Sequence, residues 1–252
     1  MGAERRVAAR EIAGGHFRYY DFVMAAFVAI LLLSNVIGAG KVAVVTLPLI
    51  GEWPFGAGIL FFPISYIIGD VLTEVYGFRI ARGVIWLGFG CNLLVALLLW
   101  VGGIIPPVVF WEQQEAYKAI LGQLPWILLG SFVAYLIGEL SNSATLSFLK
   151  FRTQGRFLWV RTIGSTIVGQ GLDSFVFIFI AFGAGGDLPV VALFRLALFQ
   201  WWAKVAYEAL ATPLTYAVVG YLKRKEQMDV YDPPSALNPW GFLPKAANLE
   251  AK

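Results

Sequence analysis

A chain of 252 residues that is 59% hydrophobic and 14% charged is too apolar for a soluble domain, which runs at about 45–50% apolar and 25% charged. Its length leaves no room for a soluble catalytic domain beside the apolar blocks, and its one cysteine, Cys91, excludes a disulfide within the chain. The net charge of +3 says little; the distribution of that charge says more.

Residues 1–19 read as a cytoplasmic lead-in. They carry Arg5, Arg6, Arg10 and Arg18 without the apolar stretch or small-residue cleavage site of a secretory signal. Apolar blocks of about 20 residues follow, each long enough to cross about 30 Å of hydrocarbon as a helix. The expected spans are Tyr20–Ala39, Ile59–Tyr76, Ile80–Ile104, Leu124–Leu149, Thr162–Gly183 and Val191–Leu222. Between the first two, Val42–Leu49 is β-branched and carries a proline near its end, and reads as a short extended excursion outside the membrane core. Residues 20–222 thus form one all-α, polytopic domain of six transmembrane helices. The tail, 223–252, opens on Lys223, Arg224 and Lys225, and its stretch Asp232–Pro244, rich in proline and small residues, reads as irregular.

The connecting charges set an orientation. Arg79 and Arg82 follow span two, Lys150, Arg152, Arg156 and Arg161 lie between spans four and five, and the lead-in and tail are both basic. The alternate loops hold Glu52, Glu112, Glu115 and Asp187, with Lys41 and Lys118 as their clear bases. The positive-inside rule therefore places both termini in the cytoplasm. Trp53, Trp100, Trp111, Trp126 and Trp159 fall near span ends, as an interfacial aromatic belt requires. Six spans divide three plus three, a layout open to an inverted repeat. Ser34-Asn35 in span one against Ser141-Asn142 in span four, and Asp70 in span two against Asp173 in span five, are its faint internal echo.

The most informative residues are five carboxylates and a lysine inside apolar spans: Asp70, Glu74, Glu139, Asp173, Glu208 and Lys204. A charge at the centre of a membrane helix costs roughly 2.5–3.5 kcal/mol on insertion scales, so these groups should face a shared, hydrated interior. Helical spacing aligns them with Tyr66 in span two, Asn142 in span four, Gln170 in span five and Trp201 in span six, while Asn35 is offered from span one. Serines, threonines and glycines in such stripes also join helices, and Ser34, Thr166 and Thr212 read best that way. Two further structural readings stay open at this point. Lys204 and Glu208 stand four residues apart and could neutralise each other, and Glu74 lies near the cytoplasmic end, close to Arg79 and Arg82. Carboxylates and amides beside aromatic rings suit a flat, donor-rich heterocycle, because an N–C–N edge gives two parallel N–H donors to one carboxylate.

At these residues the chain resembles the queuosine precursor transporter family, also called the vitamin uptake transporter family and formerly a domain family of unknown function. The resembling stretches are Phe62-Pro63-Ile64-Ser65-Tyr66-Ile67-Ile68-Gly69-Asp70-Val71-Leu72-Thr73-Glu74-Val75-Tyr76-Gly77 with Ala81-Arg82, then Gly164-Ser165-Thr166 with Gln170 and Asp173. The third is Lys204 with Thr212-Pro213-Leu214-Thr215-Tyr216 and the run Lys223-Arg224-Lys225-Glu226. The resemblance implies import of 7-cyano-7-deazaguanine, 7-aminomethyl-7-deazaguanine or the free base across the inner membrane. It implies that Asp70, Glu74, Gln170, Asp173 and Lys204 belong to the functional set, with Glu139 where many relatives carry an acid and Glu208 a less typical position. Such a protein is not an enzyme; it needs no cofactor and no direct nucleic-acid contact, its partners are a small 7-deazapurine and the bilayer, and a homodimer is compatible with the sequence.

Two rival readings are weaker. A substrate-capturing membrane subunit of an energy-coupling vitamin importer would also have about six helices, but it would need an ATPase, and no Gly-x-x-x-x-Gly-Lys-Ser/Thr motif occurs. An intramembrane aspartyl protease would need two acids about 3 Å apart sharing a proton, and Gly69-Asp70 alone is no signature for one. The only histidine, His16, lies outside the spans, so no metal cluster is expected.

Overall fold

The computed structural model describes residues 6–8, 17–47, 51–121, 125–181, 183, 189–233 and 237–238. Arg5, Arg10, Asp187 and residues 239–252 lie outside the described residues. The chain runs β1 (Arg6–Ala8), α1 (Tyr20–Gly40), β2 (Val42–Leu47), β3 (Gly51–Gly56), α2 (Phe62–Tyr76), α3 (Phe78–Ile104), α4 (Gln114–Leu121), α5 (Pro125–Arg152), α6 (Leu158–Ala181), α7 (Val190–Glu226) and β4 (Asp229–Tyr231).

Helices α1, α3, α6 and α7 are long and apolar enough to cross a membrane. The two other long segments expected as spans form helices of a different character. Helix α2 has 15 residues, a rise of about 22 Å, short of the roughly 30 Å of hydrocarbon. Helix α5 has 28 residues but dilutes its apolar face with Ser131, Glu139, Ser141, Asn142, Ser143, Thr145 and Ser147. These two carry much of the polar character, and their neighbours supply the apolar walls.

The extended excursion after α1 is half of a hairpin: β2 pairs antiparallel with β3, from Val42 opposite Gly56 to Leu47 opposite Gly51. Helix α4 was not expected, because its Glu115 and Lys118 read as loop charges; Gln114 Nε2 donates to the Gly103 carbonyl (2.8 Å) and Tyr117 Oη to that of Leu99 (3.3 Å), seating it on the end of α3. Two short strands that the sequence reading did not include lie before α1 and after α7. Strands β1 and β4 pair in parallel, with Arg6 opposite Asp229 and Ala8 opposite Tyr231.

One end of every long helix meets at the face where β4 lies. Glu226, the last residue of α7, accepts from the Tyr19 amide before α1 (2.7 Å) and from the Tyr76 hydroxyl at the end of α2 (3.1 Å). Asp232 accepts from the Phe78 amide at the start of α3 (2.6 Å), satisfying a donor that a helix N-terminus leaves open. Between α2 and α3, Gly77 has φ +87°, and a Cβ there would lie 2.7 Å from both Asp232 Oδ2 and Val230 Cγ1. Only glycine tolerates both the backbone and the approach of the tail.

Helices α5 and α6 pack most extensively. Gly138 and Gly169 face each other so closely that a Cβ on Gly169 would lie 2.8 Å from the Gly138 carbonyl oxygen and 2.8 Å from Asn142 Cα. Small residues let helix backbones touch in this way, and the crossing sets Glu139 and Asn142 against Gln170 and Asp173. Two apolar clusters flank this level. One gathers Phe27, Leu31, Leu72, Val75, Tyr76, Ile85, Leu140 and Leu222; the other holds Ile178, Leu193 and Ala197 under the Phe175 and Phe179 rings.

Candidate functional site: a buried polar layer

Between the two clusters, α2, α5, α6 and α7 bury a polar layer. Asp70, Glu139, Asn142, Gln170, Asp173, Lys204, Glu208 and Tyr66 are all buried in it. Lys204 Nζ forms an ion pair with Asp173 Oδ2 across α6 and α7, and lies 5.6 Å from the centroid of the Tyr66 ring. Asn142 Nδ2 donates to Asp70 Oδ1 at 2.5 Å, joining α5 to α2. The Lys204–Glu208 pairing left open by the spacing is not the arrangement adopted: Lys204 turns to Asp173, and Glu208 Oε1 has no hydrogen-bond partner.

The layer holds many unused polar atoms. Asp70 Oδ2, both Glu139 oxygens, Asn142 Oδ1, both amide atoms of Gln170, Ser174 Oγ and Glu208 Oε1 are buried without a partner. Leaving such an atom unsatisfied costs roughly 1–3 kcal/mol, more when it is charged. Native interiors carry few of them, so a concentration at one level marks a place built for something else to bind. Six of these atoms are acceptors, one is an amide donor and one a hydroxyl, which matches a donor-rich ligand. Ser174 was missed by the sequence reading, although it directly follows Asp173.

Other expected site residues sit at the margins. Trp201 Nε1 donates to the Ile167 carbonyl (2.9 Å) and its ring packs on Gly171 and Phe175, tying α7 to α6. Asn35 is committed to a joint of α1, α3 and α5: it donates to Leu31 O and Asn92 Oδ1 (both 3.0 Å) and accepts from Ser131 (3.3 Å). Ser34 and Thr212 donate to carbonyls of their own helices, those of Ile30 and Glu208, a satisfied structural role.

Glu74 has different company from the Arg79 and Arg82 of the sequence reading. Arg161 grips it with two bonds, Nη2 to Oε1 (2.7 Å) and Nε to Oε2 (3.1 Å), Lys223 lies 2.6 Å away and Lys150 3.7 Å. Lys150 and Lys223 also pair with Asp229 of β4, at 2.6 and 2.8 Å. Lys150 further donates to the carbonyls of Glu74 (2.5 Å) and Val230 (2.7 Å). This clasp binds the ends of α2, α5, α6 and α7 to the tail strand. Arg79 faces Asp232 instead, at 3.8 Å, and Arg82 donates to the Asn238 carbonyl.

Sequence reasoning counted Lys150 and Arg161 as loop charges and Lys223 as the start of the basic tail. The missed signal is positional: each directly abuts an expected span end, at the depth of Glu74 two residues before Tyr76. Burial would raise the Asp229 carboxyl, but Lys150 and Lys223 outweigh it and hold the group below its ordinary value. A depressed folded-state pKa contributes stability that is present above the unfolded value of about 3.9 and is lost as pH falls through the folded value. Melting temperature should therefore fall as the pH drops below about 4, and Asp229→Asn should flatten that part of the pH–stability curve. An unchanged curve in the variant would mean that the clasp does not depend on this carboxylate.

A family model described as "Putative vitamin uptake transporter" matches residues 56–218. The "Probable queuosine precursor transporter" of Bacillus subtilis (strain 168) is 30% identical over 159 residues, 63% of this chain and 69% of that protein. The "Queuosine precursor transporter" of Escherichia coli (strain K12) is 25% identical over 130 residues, 52% of this chain and 56% of that protein. No solved structure matches the chain.

Proposed function

This chain belongs to the vitamin uptake transporter family, and on that premise we propose that it imports a queuosine precursor through the buried polar layer. The family is one of transporters and not of enzymes, and the chain is a multi-pass membrane protein. The substrate proposed is 7-cyano-7-deazaguanine, 7-aminomethyl-7-deazaguanine or the free base, moved across the inner membrane by a bundle of six membrane-embedded helices with both termini in the cytoplasm. One observation carries the reading: the acceptor-rich set of unpartnered atoms on α2, α5, α6 and α7. A flat deazaguanine offers a donor edge to carboxylates such as Asp70 and Asp173, mixed edges to Asn142 and Gln170, and a face to the Tyr66 ring. Glu74 supports the layer from the clasp below it.

The test is a host unable to make or import the precursor, carrying this gene and fed each base in turn, with queuosine measured in its tRNA. Rescue by one or more bases is expected, and no rescue by any would overturn the assignment. Asp70→Asn and Asp173→Asn should each lower uptake while leaving protein in the membrane. A lost bond to a buried charge costs about 1.5–3 kcal/mol, a roughly tenfold to hundredfold loss of affinity. Normal uptake by both variants would make these acids helix joints only.

Orientation has its own test. In a Cys91→Ser background, a cysteine replacing exposed Glu115 should react with an impermeant thiol reagent added outside intact cells. One replacing Gln154, in the turn between α5 and α6, should be spared. The reverse labelling would invert the topology.

A further inference from the structure

The buried carboxylates divide into two kinds by the company they keep. Asp173 has Lys204, and Glu74 has Arg161, Lys150 and Lys223. Among the described residues, Asp70, Glu139 and Glu208 make no ion pair with any cation. An ionised carboxylate without a counter-charge is costly inside a protein and inside a membrane alike. Three of them at one level cannot all hold a negative charge unaided, so something positive must join them.

Glu139 is the extreme case. It is fully buried, and neither carboxyl oxygen has a partner. Its Oε1 occupies the space beside Gly69 where any Cβ would collide, so the glycine before Asp70 makes room for this carboxyl. The titratable groups acting on it come from every side. Tyr66 and Asp70 interact with it electrostatically from α2, Asp173 from α6 and Glu208 from α7. Tyr135 stands one turn away on its own helix and is itself influenced by Cys91 of α3, and Lys204 is paired with Asp173. The buried Gln170 amide, with both polar atoms free, is the neutral member of the group. Among the described residues, no three Asp, Glu, His or Cys side chains converge as ligands for one metal ion. A single small positive charge is what the place takes.

We propose that Glu139 is a proton-binding site that couples substrate import to inward proton movement. The inference rests on the transport reading above and adds its driving force. A proton from the outer side forms an O–H bond at a Glu139 carboxyl oxygen and removes the excess charge. Opening to the cytoplasm hydrates the site, the O–H bond breaks, and the proton leaves to water. Asp70 and Glu208 are the adjacent carboxylates across which it can be shared.

The experiment uses the purified full-length chain in vesicles, with radiolabelled 7-cyano-7-deazaguanine, 7-aminomethyl-7-deazaguanine and the free base as probes. Vesicles preloaded with unlabelled base report exchange without a gradient. Empty vesicles then receive an inward proton gradient of one pH unit or an inward sodium gradient. With one proton per substrate, the proton gradient should drive up to about tenfold accumulation, and sodium should drive none. Whatever exchange remains in Glu139→Gln should be the same with and without the proton gradient. Uptake into empty vesicles that ignores the proton gradient, or accumulation driven by sodium, overturns the coupling inference alone. The absence of exchange for every base in the unmodified protein overturns the transport reading and this inference with it. A second readout needs no transport: the infrared difference between unmodified and Glu139→Gln protein at neutral pH should contain a carboxylic-acid C=O stretch. Carboxylate bands in its place would overturn the assignment.

Discussion

Glu74→Gln should destabilise the protein by roughly 3–5 kcal/mol, the cost of removing one partner from a buried ion pair. The carboxylate is fully buried and Arg161 and Lys150 nearly so, and only Lys223 retains modest exposure. Without Glu74, Lys150 and Lys223 keep only their pairing with Asp229. Arg161, which grips both Glu74 oxygens in fork geometry, would lose its acidic partner and keep its bond to the Arg156 carbonyl. Unfolding from mild detergent by added denaturing detergent is the measurement. A Glu74→Gln, Arg161→Met double variant should recover part of the loss, because it removes a stranded charge along with its partner. A single variant as stable as the unmodified protein would show that the clasp contributes nothing to holding the helices together.

Lys204→Met should likewise weaken the protein and stop transport together, because it leaves Asp173 buried beside Glu139 with no cation. The Lys204→Met, Asp173→Asn double variant should regain most of the stability lost by the single one and none of the uptake. The expected recovery is of the same order, roughly 3–5 kcal/mol. A double variant no more stable than Lys204→Met would mean that the two side chains are not energetically paired. Regained uptake would place both residues outside the substrate path.

The helices were legible because membrane spans announce themselves by length and apolarity. The expected Tyr20–Ala39 became α1, Tyr20–Gly40, and the expected Ile80–Ile104 became α3, Phe78–Ile104. That Lys204 finds an acid was also legible, since a lone buried lysine needs one, although the spacing offered Glu208 and the fold supplies Asp173. Two things were not. Which acid takes which cation depends on where helix ends meet, and no periodicity along one helix reports that; Glu74 drew Arg161, Lys150 and Lys223 from three other helices rather than its near neighbours Arg79 and Arg82. The ordered part of the tail was hidden for the opposite reason. Asp229–Tyr231 is too short to show a strand pattern, and its order comes from long-range partners: Arg6–Ala8 at the far end of the chain, the Lys150 ammonium and the close approach at Gly77.

The clasp also imposes an order on biosynthesis. A ribosome delivers α2, with its Glu74, long before the groups that satisfy it. Lys150 and Arg161 arrive some 76 and 87 residues later, Lys223 some 149 residues later, and Asp229 later still. Until then the nascent chain holds this acid with no fixed counter-charge, and α2, itself too short to span comfortably, has α1 and α3 to pack on but no partner for Glu74. The Glu74 end of α2 should therefore settle late although the helix is made early, seating only when the segment carrying Lys223 and Asp229 closes over it. Truncation before Asp229 would then act on the first half of the molecule as much as on the second.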